Sequence, residues 1–119
     1  MSDSPRFDAI SAVTVFTGDM ARAVAFYEAI GFVRRYGGPG ESFTSFHVGP
    51  GYYNLMQGTP PAGLWGRTII HVPDVDAMYQ VVTDAGFAPE AAPADAPWGE
   101  RYFHVQDPDG NELSFATPL

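Results

Sequence analysis

Cysteine and lysine are both absent from this 119-residue sequence. Without cysteine the chain has no disulfide, no thiolate nucleophile and no sulfur ligand for a metal. All six basic residues are arginine, and against 14 acidic residues they leave a formal net charge of −8. Nucleic acid is disfavoured as a partner, because binding it requires cations that neutralise phosphates.

Long apolar runs are also missing. No segment approaches the roughly 18 apolar residues that span a bilayer. The polar residues 1–8 lack the apolar core of a secretory signal. We therefore expect no membrane partner and a cytoplasmic location.

The negative charge is unevenly distributed. Residues 1–57 hold five acids and four arginines, whereas residues 58–119 hold nine acids and two arginines. Such a surface would steer a cationic ligand towards the second half. The alternative, that the charge serves only solubility, needs no ligand.

What the sequence does contain is one pattern of elements used twice. Three residues that begin or end helices recur in the second half with an offset of 55 positions: Asp19 and Asp74, Gly31 and Gly86, Phe32 and Phe87. Each aspartate is a good N-cap and each glycine a good helix stop. The pattern therefore predicts a strand, a helix and three more strands in each half, so the chain contains an internal repeat.

The pattern predicts a first βαβββ module over residues 8–57, a Pro- and Gly-containing linker over 58–66 and a second module over 67–117, in one structural domain. Within these bounds the predicted helices run from Asp19 to about Ile30 and over 75–85. The predicted strands cover 10–16, 32–36, 42–48, 52–57, 68–72, a segment opening at Phe87, 101–106 and a last strand from Glu112. Residues 89–97, rich in Pro and Ala, are predicted to form a loop.

The predicted fold class is α+β. A four-stranded sheet with a helix on one face leaves its other face uncovered. Two such sheets can form one curved mixed sheet around a shared cleft, which is where a small-molecule site is expected.

Two stretches carry a family resemblance: VTVFTGDMARAVAFYEAIGF at 13–32 and PWGERYFHVQDPDGN at 97–111. They resemble the vicinal oxygen chelate superfamily, the glyoxalase, bleomycin-resistance and dioxygenase fold of paired βαβββ modules. The resemblance runs from about Asp8 to Ala116. The Pro-Trp-Gly loop before the last hairpin is most similar to the bleomycin-resistance-protein branch. Fold likeness of this kind does not fix the chemistry.

Enzymes of this superfamily hold a divalent metal with inward side chains on the first and last strands of each module. The resemblance places those positions at Ala12, Asn54, Arg67 and Ser114. Alanine has no donor atom, arginine repels a metal, and neutral amide or hydroxyl oxygens are weak ligands alone. We therefore expect no metal and no cofactor.

Other polar residues offer an alternative. His47, His71, His104 and Glu112 could form a different metal site or an acid–base pair. The simpler interpretation is that the strand histidines bond to their neighbours and that Glu112 is solvated or paired with an arginine. No metal-type spacing links the four residues, which favours the simpler interpretation.

Aromatic residues indicate a ligand site more strongly. Trp98, between Pro97 and Gly99, is expected to contact the ligand, while Trp65 either contacts it or covers the seam between the modules. Flat aromatic faces, together with acids such as Asp95, Glu100 and Glu112, would suit a planar or cationic ligand through stacking and cation–π attraction. The predicted ligand-binding residues are Trp98, Arg67, His71, Asn54, Tyr52, Tyr102, Glu112, Ser114 and Trp65.

Two functional hypotheses follow. The first is a protein that sequesters a small aromatic or cationic compound, such as a bleomycin-type antibiotic, in a metal-free cleft without turnover and with no catalytic residue. The second is a lyase or dioxygenase with a rearranged metal site, or a metal-free catalyst using Arg67 and His71. The resemblance also implies a homodimer with clefts at the subunit interface, with or without swapped elements.

Overall fold

The computed structural model describes residues 6–119, which form two helices and eight strands. In chain order these elements are β1 (Ala12–Thr17), α1 (Met20–Ala29), β2 (Val33–Tyr36), β3 (Phe43–Val48), β4 (Gly51–Gln57), β5 (Arg67–His71), α2 (Val75–Asp84), β6 (Ala94–Asp95), β7 (Glu100–Gln106) and β8 (Glu112–Pro118). The predicted order of strand, helix and three strands therefore appears in both halves.

The two helices begin and end as predicted. Asp19 caps α1 by accepting a hydrogen bond from the backbone N–H of Arg22, and Asp74 caps α2 through the N–H of Ala77, both at 3.1 Å. A carboxylate at this position pairs an amide that the helix leaves free and complements the helix dipole. Each helix ends just before a glycine with positive φ, which is +107° at Gly31 and +93° at Gly86.

The strands form two four-stranded mixed sheets with the same topology, β1-β4-β3-β2 and β5-β8-β7-β6. In each sheet the first strand pairs parallel with the last strand of its half, and the other pairings are antiparallel. The parallel pairs need a long connection, which in each half includes the helix. The α+β glyoxalase-type fold is confirmed.

The second half departs from the prediction at one element. Phe87 opens no strand; instead, the two-residue β6 lies at Ala94–Asp95, inside the segment predicted to be a loop. Pro89 and Pro93 lack an N–H for a sheet ladder, so a single backbone hydrogen bond, from Glu90 to His104, reaches β7 before regular pairing begins at Ala94. Phe87 packs its half-buried ring on Phe26 of α1 instead, with ring centroids 4.6 Å apart.

One hydrophobic core serves both halves. It contains residues that share one face of α1 at helical spacing, namely Ala23, Val24, Tyr27 and Ile30, together with core residues of both sheets. A buried polar network crosses between the halves. The Tyr27 hydroxyl donates to Asp107 Oδ2 at 2.6 Å and lies 2.8 Å from the Tyr53 hydroxyl.

The turn between β7 and β8 is built around Asp107. Its Oδ1 accepts hydrogen bonds from the backbone N–H groups of Asp109 and Asn111, both at 2.9 Å. The Asn111 side chain donates to Asp107 Oδ2 and to the backbone oxygen of Phe16 in β1. The turn therefore also fastens the second sheet to the first. No helix in residues 6–119 is long and apolar enough to cross a membrane.

Candidate functional site

Each sheet has one face against the core and one face turned away from it, which we call the open face. Tyr53 and Leu55 of β4 are buried against the core, so alternation places Tyr52, Asn54 and Met56 on the open face of the first sheet. The same reasoning applies to the second sheet. Its open face carries Arg67, Ile69, His71, Glu100, Tyr102, His104, Glu112 and Ser114.

An aromatic platform with a carboxylate at its edge lies on the open face of the second sheet. The Trp98 indole is 66% exposed and stacks on Tyr102, with ring centroids 5.6 Å apart and planes 29° apart. Its N–H donates to Glu100 Oε1 at 3.0 Å. The other carboxylate oxygen of Glu100 contacts His71 Nε2. Trp98 is therefore held in place with one broad ring face towards solvent.

A second carboxylate on this face is neutralised by an arginine. Glu112 is only 5% exposed, and its Oε2 contacts Nε of Arg67. A buried carboxylate needs such a partner, because its desolvation is otherwise uncompensated. Glu112 is therefore paired with an arginine, which is one of the two alternatives in the simpler interpretation of this residue.

His104 lies beside this pair and is a neutral base. Burial, followed by the positive charge of Arg67, lowers its pKa below the usual histidine value. Its Nδ1 is buried and has no hydrogen-bond partner among residues 6–119, so the expectation that this histidine bonds to a neighbour is wrong. The ring lies 5.0 Å from that of Tyr102.

The first sheet carries a matching polar position. Asn54 of β4 pairs with Ser45 of β3, just as Ser114 pairs with His104 in the second sheet. The Asn54 amide donates to Thr14 Oγ1 at 3.2 Å. Asn54 Oδ1 and Ser45 Oγ are buried without a partner in the described part of the chain. In the described part of the chain, each open face therefore has buried polar atoms near its centre that lack a hydrogen-bond partner.

Between the two sheets lies a cavity of about 550 Å³, bordered by the edge strands β1 and β5. Tyr52, Trp65 and Arg67 line it, together with Ala12 and Ile69. The Trp65 N–H donates to Asn111 Oδ1 at 2.9 Å, so this indole covers the seam between the modules and lines the cavity as well. The cavity is of the size that small-molecule sites usually have.

The structure thus distributes the predicted ligand-binding residues over three places. Tyr52, Trp65 and Arg67 line the cavity. Trp98, Tyr102, His71, Glu112 and Ser114 lie on the open face of the second sheet, outside that cavity. Asn54 lies at the centre of the first sheet.

The positions that the superfamily uses for metal do not fit one here. Arg67 brings a cation already bound to Glu112, Ala12 brings no donor, and Asn54 and Ser114 bring neutral oxygens. Within residues 6–119, no group of three or more His, Asp or Glu side chains is arranged to hold a metal ion.

Sequence reasoning missed or misplaced several residues. The sequence predicts Glu100 only as one of several acids that suit a cationic ligand. Its hydrogen bond with Trp98 could not be predicted, because that contact depends on the conformation of loop 96–99. Asp95 pairs with Arg101, which also binds Asp76 of α2, so it is not available to a ligand on the open face. Arg35 is not among the predicted site residues, although alternation from Arg34 on the helix side places it on the open face of the first sheet.

A β-bulge between Arg34 and Tyr36 breaks that alternation. It turns Tyr36 onto the same open face as Arg35, whose guanidinium carbon lies 4.0 Å from the centre of the Tyr52 ring. No residue in the sequence marks the bulge.

Comparison with known proteins agrees with this architecture. A 62-residue segment is 40% identical to the uncharacterized protein Mb0911c of Mycobacterium bovis; it is 50% of this chain but only 41% of that protein. A crystal structure of lactoylglutathione lyase from Agrobacterium tumefaciens superposes with a TM-score of 0.80 at 19% identity, covering 95% of this chain and 96% of that one.

A bleomycin-binding protein complexed with bleomycin superposes with a TM-score of 0.76 at 20% identity, covering 95% of this chain and all of the other. At such identities the likeness concerns the fold alone. A family model matches residues 9–115, nearly the whole chain. The chain therefore belongs to the glyoxalase/bleomycin resistance protein/dioxygenase superfamily.

Proposed function

We propose that this protein binds a small aromatic or cationic compound of antibiotic type on the open face of its second sheet and sequesters it without turnover. The observation that carries the proposal is the Trp98–Tyr102 stack with the Glu100 carboxylate at its edge. An exposed, immobilised indole offers a flat face to a planar ring, and a nearby carboxylate favours a positive charge.

The charge of the site supports a cationic ligand. Glu112 is neutralised by Arg67, but the partners of Glu100 are an indole N–H and a histidine. Whenever His71 is neutral, Glu100 keeps its negative charge without a permanent cation beside it. A ligand cation over Trp98 would supply that charge, and the acidic second half would attract it.

Fluorescence quenching tests the proposal directly. Trp98 and Trp65 are the two tryptophans of the chain, so a Trp65→Phe background reports on Trp98 alone. We would titrate this variant with the planar cation acriflavine and, because of the solved bleomycin-binding relative, with bleomycin. Saturable quenching at about one ligand per chain supports the proposal.

Two substitutions identify the site. Glu100→Gln should weaken acriflavine binding roughly tenfold, since a charge-assisted contact is lost. Glu41→Gln removes the same charge from an exposed loop position of the first module and should leave affinity unchanged. If both variants lose affinity equally, the acids act only through net charge and the site is wrongly assigned.

The second candidate is catalysis by a lyase or dioxygenase that uses a rearranged metal site or metal-free acid–base chemistry. The contact between Glu100 and His71 favours it, because a carboxylate that orients a histidine is a common arrangement in general bases. Metal content by mass spectrometry, on tag-free protein challenged with zinc, manganese, nickel and iron, separates the two candidates. One metal per chain would favour the enzyme; no retained metal leaves only its metal-free form.

We also propose that the protein is a homodimer whose clefts lie at the subunit interface. Large apolar side chains on the open faces support this, since Phe16, Met56 and Ile69 are between 39% and 59% exposed. A two-fold contact would cover these faces in both copies at once. Sedimentation at micromolar concentration gives the mass; a monomer there would contradict the proposal. The cytoplasmic location stays a prediction.

A further inference from the structure

We propose that the open face of the first sheet is an anion site, with Arg35 as the group that binds a planar carboxylate. The site lies on the sheet opposite to the Trp98 platform and is complete in one copy of the chain. The proposal therefore stands independently of the function proposed above.

The guanidinium of Arg35 lies over two aromatic rings. Its central carbon lies 4.0 Å from the centre of the Tyr52 ring and 5.1 Å from that of Tyr36. Tyr36 itself stacks on Phe43, with centroids 5.9 Å apart and planes 23° apart. A cation over an aromatic ring is attracted to it, and the planar guanidinium still has N–H donors for both oxygens of a carboxylate.

Arg35 has no carboxylate partner of its own. The ion pairs formed within residues 6–119 involve Arg6, Arg34, Arg67, Arg101 and His71, but neither Arg22 nor Arg35. Its neighbour Arg34 faces the helix side and binds Glu28 through two hydrogen bonds of 2.8 and 2.9 Å. Alternation along β2 thus separates one arginine that binds the helix side from one that faces away from it.

The surroundings favour an anion. None of the four strands β1, β2, β3 and β4 contains an aspartate or a glutamate, whereas the open face of the second sheet has two. Exposed His47 lies beside the same ring, 6.0 Å from Tyr52 between centroids, and adds a further donor. A negative group near Arg35 would therefore meet no carboxylate from its own sheet.

A second, independent observation indicates a missing ligand. Tyr36 pairs with Ser45, and Ser45 with Asn54, so the three lie in one row across the sheet. Ser45 Oγ and Asn54 Oδ1 are buried and lack a partner within the described chain. Buried polar atoms are rarely left unpaired, so this row has hydrogen-bonding capacity for a molecule that docks against it.

Benzoate is the probe that tests the site, because it combines a carboxylate with a flat ring. We would titrate the full chain in chloride-free buffer and follow the ring protons of Tyr36 and Tyr52 by NMR. Benzoate should shift both, while benzyl alcohol, which has the same ring without the charge, should shift neither. Shifts at Trp98 and Tyr102 instead would place benzoate on the second sheet and overturn the proposal.

Substitutions give the quantitative test. Arg35→Gln should weaken benzoate binding roughly tenfold or more, because a charge-assisted pair is lost. Arg35→Lys keeps the charge but not the planar pair of donors and should bind at an intermediate level. Arg22→Gln, which removes an equal charge from an exposed position on α1, is the matched control and should bind like the parent. Equal affinity in Arg35→Gln and the parent overturns the proposal.

These variants also test a competing role for Arg35, as a contact between two copies of the chain. If benzoate fails to bind and Arg35→Gln lowers the mass seen in sedimentation, Arg35 pairs with a carboxylate of a second copy and the anion site is refuted. Failure of acriflavine to bind at Trp98 refutes only the proposed function, because that experiment reports on the other sheet.

Discussion

Glu112 carries a carboxylate that is almost fully buried on the open face of the second sheet, with Arg67 as its charged partner. Breaking such a pair from the arginine side leaves an uncompensated charge. Arg67→Ala should therefore lower the free energy of unfolding by about 2 kcal/mol, measured by urea denaturation.

The double variant Arg67→Met/Glu112→Leu should recover most of that loss, since it removes both charges and keeps side-chain volume. Arg22→Ala, at an exposed helix position, is the control for loss of an arginine as such. Equal stability of Arg67→Ala and the parent would mean that water, not Arg67, satisfies the carboxylate.

A second residue-scale prediction concerns the buried tyrosines. Burial raises the pKa of Tyr27 well above the usual tyrosine value, with further contributions from Tyr53 and Asp107; burial also raises the pKa of Tyr53. The unfolded chain releases these protons near pH 10, and the folded chain does so only at higher pH. Folding stability from these groups is therefore fully present below about pH 10 and declines as the pH rises further.

Tyr27→Phe should make unfolding less dependent on pH between about pH 10 and 12, because one of the two shifted protons is gone. It should also cost about 1 kcal/mol at pH 7, since Asp107 loses a donor. Tyr36→Phe, on the exposed open face, is the matched control. An unchanged slope of stability against pH in Tyr27→Phe would contradict the assignment.

At the scale of elements, the two N-caps make equivalent contributions. Asp19 and Asp74 each accept a hydrogen bond of 3.1 Å from the amide three residues further on. Asp74→Ala should therefore destabilise the protein by about 1 kcal/mol, and Asp74→Ser should nearly restore it, because serine caps as well as aspartate. Thermal unfolding by circular dichroism measures both. If serine fails to rescue, the carboxylate acts by charge rather than by capping.

Elements were predictable where one local interaction decides them. The caps at Asp19 and Asp74 and the turn at Asp107 follow from side chains that bond their own backbone, and the structure has them. β6 was misplaced because a two-residue strand depends on what β7 offers as a partner. The position of Tyr36 on the same face as Arg35 depends on a bulge, which is a property of two strands together and leaves no mark in one of them.

At the scale of the whole molecule, the halves are joined by a shared core and by polar contacts through the β7–β8 turn. Phe26 packs on Phe87, Tyr27 binds Asp107, and Asn111 binds the backbone of β1. We expect one cooperative unfolding transition, with Trp98 fluorescence and the amide hydrogen exchange of β4 giving the same midpoint.

Asp107→Ala should uncouple the halves, because it removes the acceptor that serves Tyr27, Asp109 and Asn111. The fluorescence and exchange midpoints should then separate. Asp84→Ala removes an exposed carboxylate whose hydrogen bond with Gln80 stays within α2, and it serves as the control. A single coincident transition in Asp107→Ala would show that the apolar core alone couples the halves.

The order of strands in the second sheet also affects how the chain folds during its synthesis. β8 follows all other strands in the chain, yet it lies between β5 and β7. Until β8 arrives, both of those neighbours have an unpaired ladder of backbone groups, and such edges invite pairing with other chains. A nascent chain that pauses before Glu112 therefore exposes two unpaired strand edges and is prone to aggregate. A chaperone would have to shield β5 and β7 until β8 has been synthesised and can pair with both.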